Sequence, residues 1–225
     1  MTDLKAPAGH PVSVKVWGEF ACFTRPEFGV ERVSYEMMTP TAAIGVLDSI
    51  FWKPEFRWRI VAIDALQPVR WLQVRRNEIQ SRQTPRIARH WAEGDDAGLD
   101  VAEDRTQRST LLLYGVAYLI HAQAELQRGV KGDQAKYRDQ LRRRVERGQC
   151  HERPYLGCRE FVADFGPLEE NDHPVDWSQN LGSMIFSVYA GSEDHDQRAD
   201  ATPIFFPAQV RHGRMLVPKL PQGRR

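Results

Sequence analysis

No apolar run in the 225 residues approaches the roughly 20 needed to cross a bilayer, and the first residues, MTDLKAPAGHP, lack the apolar centre of a secretion signal. Neither a membrane protein nor a secreted one is expected, which leaves the cytoplasm. Cysteine is scarce: Cys22, Cys150 and Cys158 make an odd number without a close CxxC pair, which speaks against a disulfide framework. Cys150, His151 and Cys158 lie near one another in sequence but lack a fourth donor, so no metal and no cofactor is assigned. Bulk charge is also missing, since 31 Lys and Arg against 30 Asp and Glu leave a formal net charge of +1. Internal repeats and low-complexity segments are absent as well. With 41% hydrophobic and 27% charged residues, the composition is that of an ordinary globular protein.

Segregated charge is what the sequence does have. From Lys136 to Arg159 eight Lys and Arg face three acids, and from Arg70 to Arg89 six arginines face Glu78 alone. The acids gather in 93–104, 164–176 and 193–200. A nearly neutral chain patterned in this way can carry a basic face that draws in a polyanion, although a solvated, salt-bridged surface would read the same.

The alternation of Val12, Val14 and Val16 with Ser13, Lys15 and Trp17 predicts a half-buried strand. In the stretch TPTAAIGVLDSIFWKP, Thr39 is an N-cap, Pro40 the first helical residue and Pro54 a stop, which predicts a helix. Residues 57–74 read as a strand interrupted at Gln67-Pro68, and 77–108 as an extended surface loop. The apolar stretch Thr110 to Leu126 reads as a long strand because a better helix follows it. In that helix Asp133 is the cap, Tyr137, Leu141 and Val145 are the apolar stripe, and Gly148 is the C-terminal glycine. Strands over 154–164, 181–190 and 204–217 complete the chain, with turns at Gly191 and His212-Gly213. The expected fold class is α+β: a ferredoxin-like βαββαβ domain, the architecture of RNA-recognition motifs, over residues 1–165, followed by a small antiparallel β lobe over 166–225.

Three segments in order carry a resemblance: MTPTAAIGVLDSIFWKP (38–54), DRTQRSTLLLYGVAYLIHA (104–122) and GQCHERPYLGCREF (148–161). Together they make the chain resemble the Cas-five subtype d family of type I-C CRISPR systems, in the RAMP superfamily. The resemblance implies an endoribonuclease that cuts precursor CRISPR RNA at the base of the repeat hairpin. It implies no metal requirement, and products ending in a 2′,3′-cyclic phosphate and a 5′-hydroxyl. The implied partners are CRISPR repeat RNA and the other subunits of the type I-C interference complex. A non-catalytic subunit gripping the RNA handle, or one binding duplex DNA, is the alternative.

Such chemistry needs a base near the 2′-hydroxyl, a cation for the phosphorane charge and a proton for the leaving oxygen. The family pattern has a tyrosine at the end of the first helix, where this chain has Phe51, and a Lys-His pair near the start of the second. By that pattern Lys136 is the candidate cation, Tyr137 a substitute phenol and His151 the nearest histidine, while Tyr137 also fits the apolar stripe. Arg142, Arg143, Arg144, Arg147 and Arg159 are the candidate phosphate ligands. Gly157 is expected to make a close backbone approach, to RNA or to a neighbouring element. Trp17, Tyr114 and Tyr118 read as core residues or base-stacking platforms, and His121 as a satisfied histidine at the end of a strand.

Overall fold

The computed structural model describes residues 11–28, 30–81, 84–94, 100–127, 129–189 and 202–219. Along the chain these form β1 (Val12–Ala21), β2 (Arg32–Val33), α1 (Pro40–Ile50), β3 (Phe56–Ala65), β4 (Trp71–Ile79) and α2 (Pro85–Ala92). Then follow β5 (Arg105–Leu126), α3 (Gln134–Glu146), β6 (Asp164–Gly166), β7 (Gln179–Tyr189), β8 (Thr202–Arg211) and β9 (Arg214–Leu216). The result is a mixed α and β architecture built on a single sheet of order β6-β1-β5-β3-β9-β8-β7, with β2 and β4 also paired to β5. Every pairing is antiparallel except that of β2 with β5.

The period of two in β1 decides which face becomes the core. Val12, Val14 and Val16 stand opposite Ala122, Ile120 and Tyr118. They share one buried cluster with Ala43, Val46, Leu47 and Ile50 of α1 and with Tyr137, Leu141 and Val145 of α3. Both helices start where their capping residues lie. Thr39 Oγ1 accepts from the Ala42 N–H at 3.3 Å, and the Asp133 carboxylate accepts from the Ala135 N–H at 2.8 Å. The end of α3 is closed by two bonds, from the Gly148 N–H to the Val145 carbonyl and from the Gln149 N–H to that of Arg144. Gly148 has φ +60°, the left-handed turn such a closure requires and which glycine adopts without steric cost.

On the other face of the sheet the alternate residues form a polar chain. Ser13 Oγ lies 2.8 Å from His121 Nδ1, and His121 Nε2 lies 2.9 Å from Asp64 Oδ2. The Arg214 guanidinium donates to both Asp64 oxygens, at 2.6 and 2.7 Å. Burial alone would raise the Asp64 carboxyl, but the Arg214 fork and His121 outweigh it and hold the group below the usual range. The chain links β1, β5, β3 and β9 across the sheet, so His121 is the satisfied histidine its position predicts.

Two expectations are corrected. Residues 77–108 are no extended loop: β4 continues to Ile79, α2 is capped by Thr84 with Pro85 at its first position, and β5 begins at Arg105. None of the nine β4 residues and none of α2 is buried; in α2 Ile87 and Trp91, four apart, are half-buried on one side of a helix only eight residues long. Residues 154–163 are no strand either, and of the expected strand only Asp164 belongs to one, as the first residue of β6. Tyr155 and Val162 form an isolated bridge around a tight reversal, in which the Leu156 N–H bonds to the Phe161 carbonyl. The expected turn at Gly191 and the acidic stretch 193–200 lie outside the described residues. No helix among the described residues is long and apolar enough to cross a membrane.

Candidate functional site

The C-terminal end of α1 gathers several of the sequence candidates. Arg144 Nη1 donates to the Ile50 carbonyl at 2.8 Å, and its guanidinium carbon lies 5.4 Å from the centre of the Phe51 ring. The Ser49 carbonyl accepts from the backbone N–H groups of His151 (2.8 Å) and Glu152 (3.1 Å). The partial negative charge of a helix C-terminus is thus met by one guanidinium and two amides. Arg144 is committed to this cap, while the His151 side chain is left exposed beside it. Asp48 sits one turn before Phe51, and burial pushes its carboxyl up to about 6.

Phe51 is itself buried and belongs to an aromatic cluster. Its ring centre lies 5.5 Å from that of Phe56, which in turn lies 4.8 Å from Trp58 and 4.6 Å from Tyr137. Trp58 Nε1 donates to the Phe51 carbonyl at 3.0 Å, which fixes the backbone there. Tyr137 is therefore a core residue by contact. Lys136 beside it is exposed, with Nζ 5.9 Å from the Tyr137 ring centre. Lys136 and Arg147 stand at opposite ends of α3, about 16 Å apart along its axis, and His151 follows Arg147. Lys136 and His151 are not brought together.

The outer side of α3 presents Arg142, Arg143 and Arg147, all exposed. Arg142 lies 3.5 Å from Asp139 one turn away, whereas Arg143 and Arg147 have no ion-pair partner among the described residues. Arg159 is exposed in the reversal after Gly157. The close approach of Gly157 is to a neighbouring element: a Cβ built there would sit 2.0 Å from the Cys22 carbonyl oxygen, and its φ is +85°. Of the three aromatics, Tyr118 is buried in the core, while Trp17 lies under Lys15 and Tyr114 under Arg70 at the surface.

A second charged cluster joins part of the Arg70–Arg89 run to residues far from it in sequence. Glu160 pairs with Arg76 of β4 and with Arg32 (3.4 Å), and Arg32 and Arg108 both reach Glu78, at 3.5 and 3.6 Å. The Arg76 guanidinium also covers the Phe161 ring at 5.3 Å. These contacts fasten the 156–161 reversal to the β4–β5 ribbon. The reversal lies more than eighty positions from Arg76, and only pairing of the strands brings the two together. Among the described residues no group of three or more His, Cys, Asp or Glu side chains is placed to hold a metal ion.

Comparison with known proteins bears on the family and the fold. The chain is 39% identical over 220 residues to a CRISPR pre-crRNA endoribonuclease Cas5d of Thermus thermophilus, covering 92% of this chain and 91% of that protein. It is 38% identical over 214 residues to the protein of the same name from Mannheimia succiniciproducens, covering 92% and 94%. A solved CRISPR-associated protein and the protein SMU1763c of Streptococcus mutans share the fold, each with TM-score 0.64 over 94% of this chain and 93% of the other, at 19% and 16% identity. The model of the Cas_Cas5d family, described as CRISPR-associated protein (Cas_Cas5), matches residues 12–218. The chain belongs to the Cas5d family of CRISPR-associated proteins.

Proposed function

We propose that this chain is an endoribonuclease that cuts precursor CRISPR RNA within the repeat and stays on the 5′ handle as a subunit of a type I-C interference complex. The observation that carries the reading is similarity over nine-tenths of the chain to two proteins named as pre-crRNA endoribonucleases. The sequence β1, α1, β3, β5, α3, β6 with lateral order β6-β1-β5-β3 supports a ferredoxin-like βαββαβ unit as the RNA-handling body. On this reading the unit covers residues 1–165, and the β7–β9 strands form the lobe over 166–225.

RNA lies along the outer side of α3 in this reading, with Arg143 and Arg147 on successive phosphates and Arg142 and Arg159 at the margins. Cleavage takes place at the α1 end. There His151 is exposed beside Phe51, in a position to carry a proton, and the Arg144 cap adds positive charge next to it. Lys136, at the far end of the helix, meets a different phosphate, and Tyr137 contributes by packing. The 2′-hydroxyl of the nucleotide before the cut attacks the phosphate and the 5′-oxygen leaves with a proton, giving a 2′,3′-cyclic phosphate and a 5′-hydroxyl without a metal.

Incubation of the purified chain with repeat RNA, with and without EDTA, tests the proposal. A single cut bearing a cyclic phosphate, unaffected by EDTA, is expected. Intact RNA that is merely retarded in a gel overturns the enzyme in favour of a gripping module, the reading that Phe51 favours. Tighter binding to duplex DNA than to repeat RNA across a salt series points instead to a DNA-binding subunit.

A further inference from the structure

The 156–161 reversal carries chemistry that RNA processing does not use. It brings Cys158, 136 positions from Cys22 in sequence, against the end of β1. The Cys22 N–H bonds to the Leu156 carbonyl at 3.1 Å, and Gly157 presses its backbone onto the Cys22 carbonyl group. Cys158 Sγ lies 3.7 Å from the Cys22 oxygen, and Cys22 Sγ lies 3.7 Å from Thr24 Oγ1. Both thiols are free, Cys22 wholly buried and Cys158 partly exposed. We propose that Cys22 and Cys158 form a reversible intramolecular disulfide, with Cys158 as the thiol that meets the oxidant and Cys22 as the one that resolves it.

The two sulfurs differ in the way such a pair requires. A hydrogen bond from Cys22 lowers the Cys158 thiol to about 7, outweighing burial and the Glu160 charge, which act the other way. The same hydrogen bond, together with burial, pushes the Cys22 thiol up. The accessible sulfur is thus the one that ionises more readily, and the sheltered one keeps its proton longer. With hydrogen peroxide as oxidant, the Cys158 thiolate forms an S–O bond, the O–O bond breaks and hydroxide leaves. Cys22 then gives up its proton and attacks the sulfenic sulfur; the S–S bond forms and the second oxygen leaves as water. Two thiols are oxidised by two electrons, and one peroxide is reduced to two waters. A dithiol reverses the bond by exchange.

Bridging these positions ties the reversal, and through Glu160 the β4–β5 ribbon, to β1. The test uses the full chain treated with stoichiometric peroxide and then alkylated under denaturing conditions. The expected result is loss of two of the three thiols, a peptide pair joining Cys22 to Cys158 that is two hydrogens lighter than the reduced pair, and recovery with dithiothreitol. The oxidised chain should melt on the order of 5 °C higher. Cys22→Ala should stop at a Cys158 sulfenic acid that dimedone traps, and this separates a resolved pair from a lone reactive thiol. Three intact thiols after treatment, a bond that includes Cys150, or a link between molecules overturns the proposal. None of these outcomes depends on whether the chain cuts RNA.

Discussion

The two ends of β5 obey the same hydrogen-bonding rule under opposite conditions. From Leu113 onward the strand pairs with β1, and from Tyr118 with β3 as well, roofed by α1 and α3, and nearly every residue is buried or half-buried. From Arg105 to Leu113 it pairs with β4 in an outlying ribbon, and no β4 residue is buried. Backbone pairing runs unbroken along the ribbon, whereas in the buried half the register shifts between Ile60 and Ala62 of β3. A regular ladder is therefore no measure of local stability; the apolar surface and satisfied polar groups packed on it are. The ribbon end is held from the side, by arginines on Glu78 and Glu160, whose exposed pairs contribute little each and weaken with salt.

The comparison breaks most easily at its rigid end. Asp64→Asn removes the charge that a buried guanidinium requires, and a loss of about 3 to 5 kcal/mol in urea unfolding is expected. The sign with pH follows from the lowered carboxyl. Its contribution is present above the ordinary aspartate range and is lost as pH falls through the folded value, so the parent and Asp64→Asn should converge in strong acid. Equal stability of the two proteins at pH 7 would show that the polar chain does not make this end firmer.

At the α1 end, His151→Ala should slow single-turnover cleavage at least tenfold with repeat-RNA affinity nearly unchanged, since a positioned proton carrier contributes about a hundred- to ten-thousandfold. Tyr137→Phe should leave the rate alone because the ring belongs to the core, and Phe51→Tyr should leave or raise it. A tenfold loss in Lys136→Ala with none in His151→Ala would move the reacting phosphate to the other end of α3. Arg143→Ala with Arg147→Ala should flatten the plot of log affinity against log salt by about 1.4 to 1.8, two phosphate contacts' worth. An unchanged slope removes the helix from the RNA surface.

Smaller effects sharpen the contrast. A carboxyl raised to about 6 costs stability once pH passes the unfolded value near 3.8, with the full cost reached above 6. Asp48→Asn should therefore stabilise the protein by about 1 to 2 kcal/mol at pH 8, after discounting for partial exposure, and hardly at all at about pH 3, below the unfolded value. Thermal melts at the two pH values decide it. Smallest of all should be Trp71→Ala on the ribbon, where the side chain is 42% exposed and a change of no more than about 0.5 kcal/mol is expected.

The same division governs what could be read from the sequence. Wherever one face is buried, the pattern names the element: the valines of β1, the Thr39-Pro40 start of α1, and the Tyr137, Leu141, Val145 stripe of α3 all lie where their spacing puts them. Where nothing is buried the pattern is weak, so the end of β4, from Asn77, and all of α2 looked like charged loop, although Thr84-Pro85 repeats the start signal of α1 and could have been read. Of the site, the basic side of α3 was legible from periodicity alone. That Arg144 turns inward to cap α1 was not, because the cap is a contact between residues 94 positions apart. The 156–161 reversal deceived for a related reason: β-branched and aromatic residues suit a strand, but the left-handed Gly157 and its seat against Cys22 fold the segment back.

At about 3.3 Å per residue, the 22 residues of β5 would measure about 70 Å if straight, longer than a globule of this mass is wide. Its ladder bonds run perpendicular to the strand. A pull on the ribbon along this axis therefore loads the bonds to β1 and β3 side by side, in shear, and they yield together. A pull across the axis opens the ribbon bonds one at a time. The fold is thus mechanically anisotropic: stiff to tension along β5, compliant to peeling, with the crossover at Leu113, where Ala21 and Trp71 flank the strand on either side.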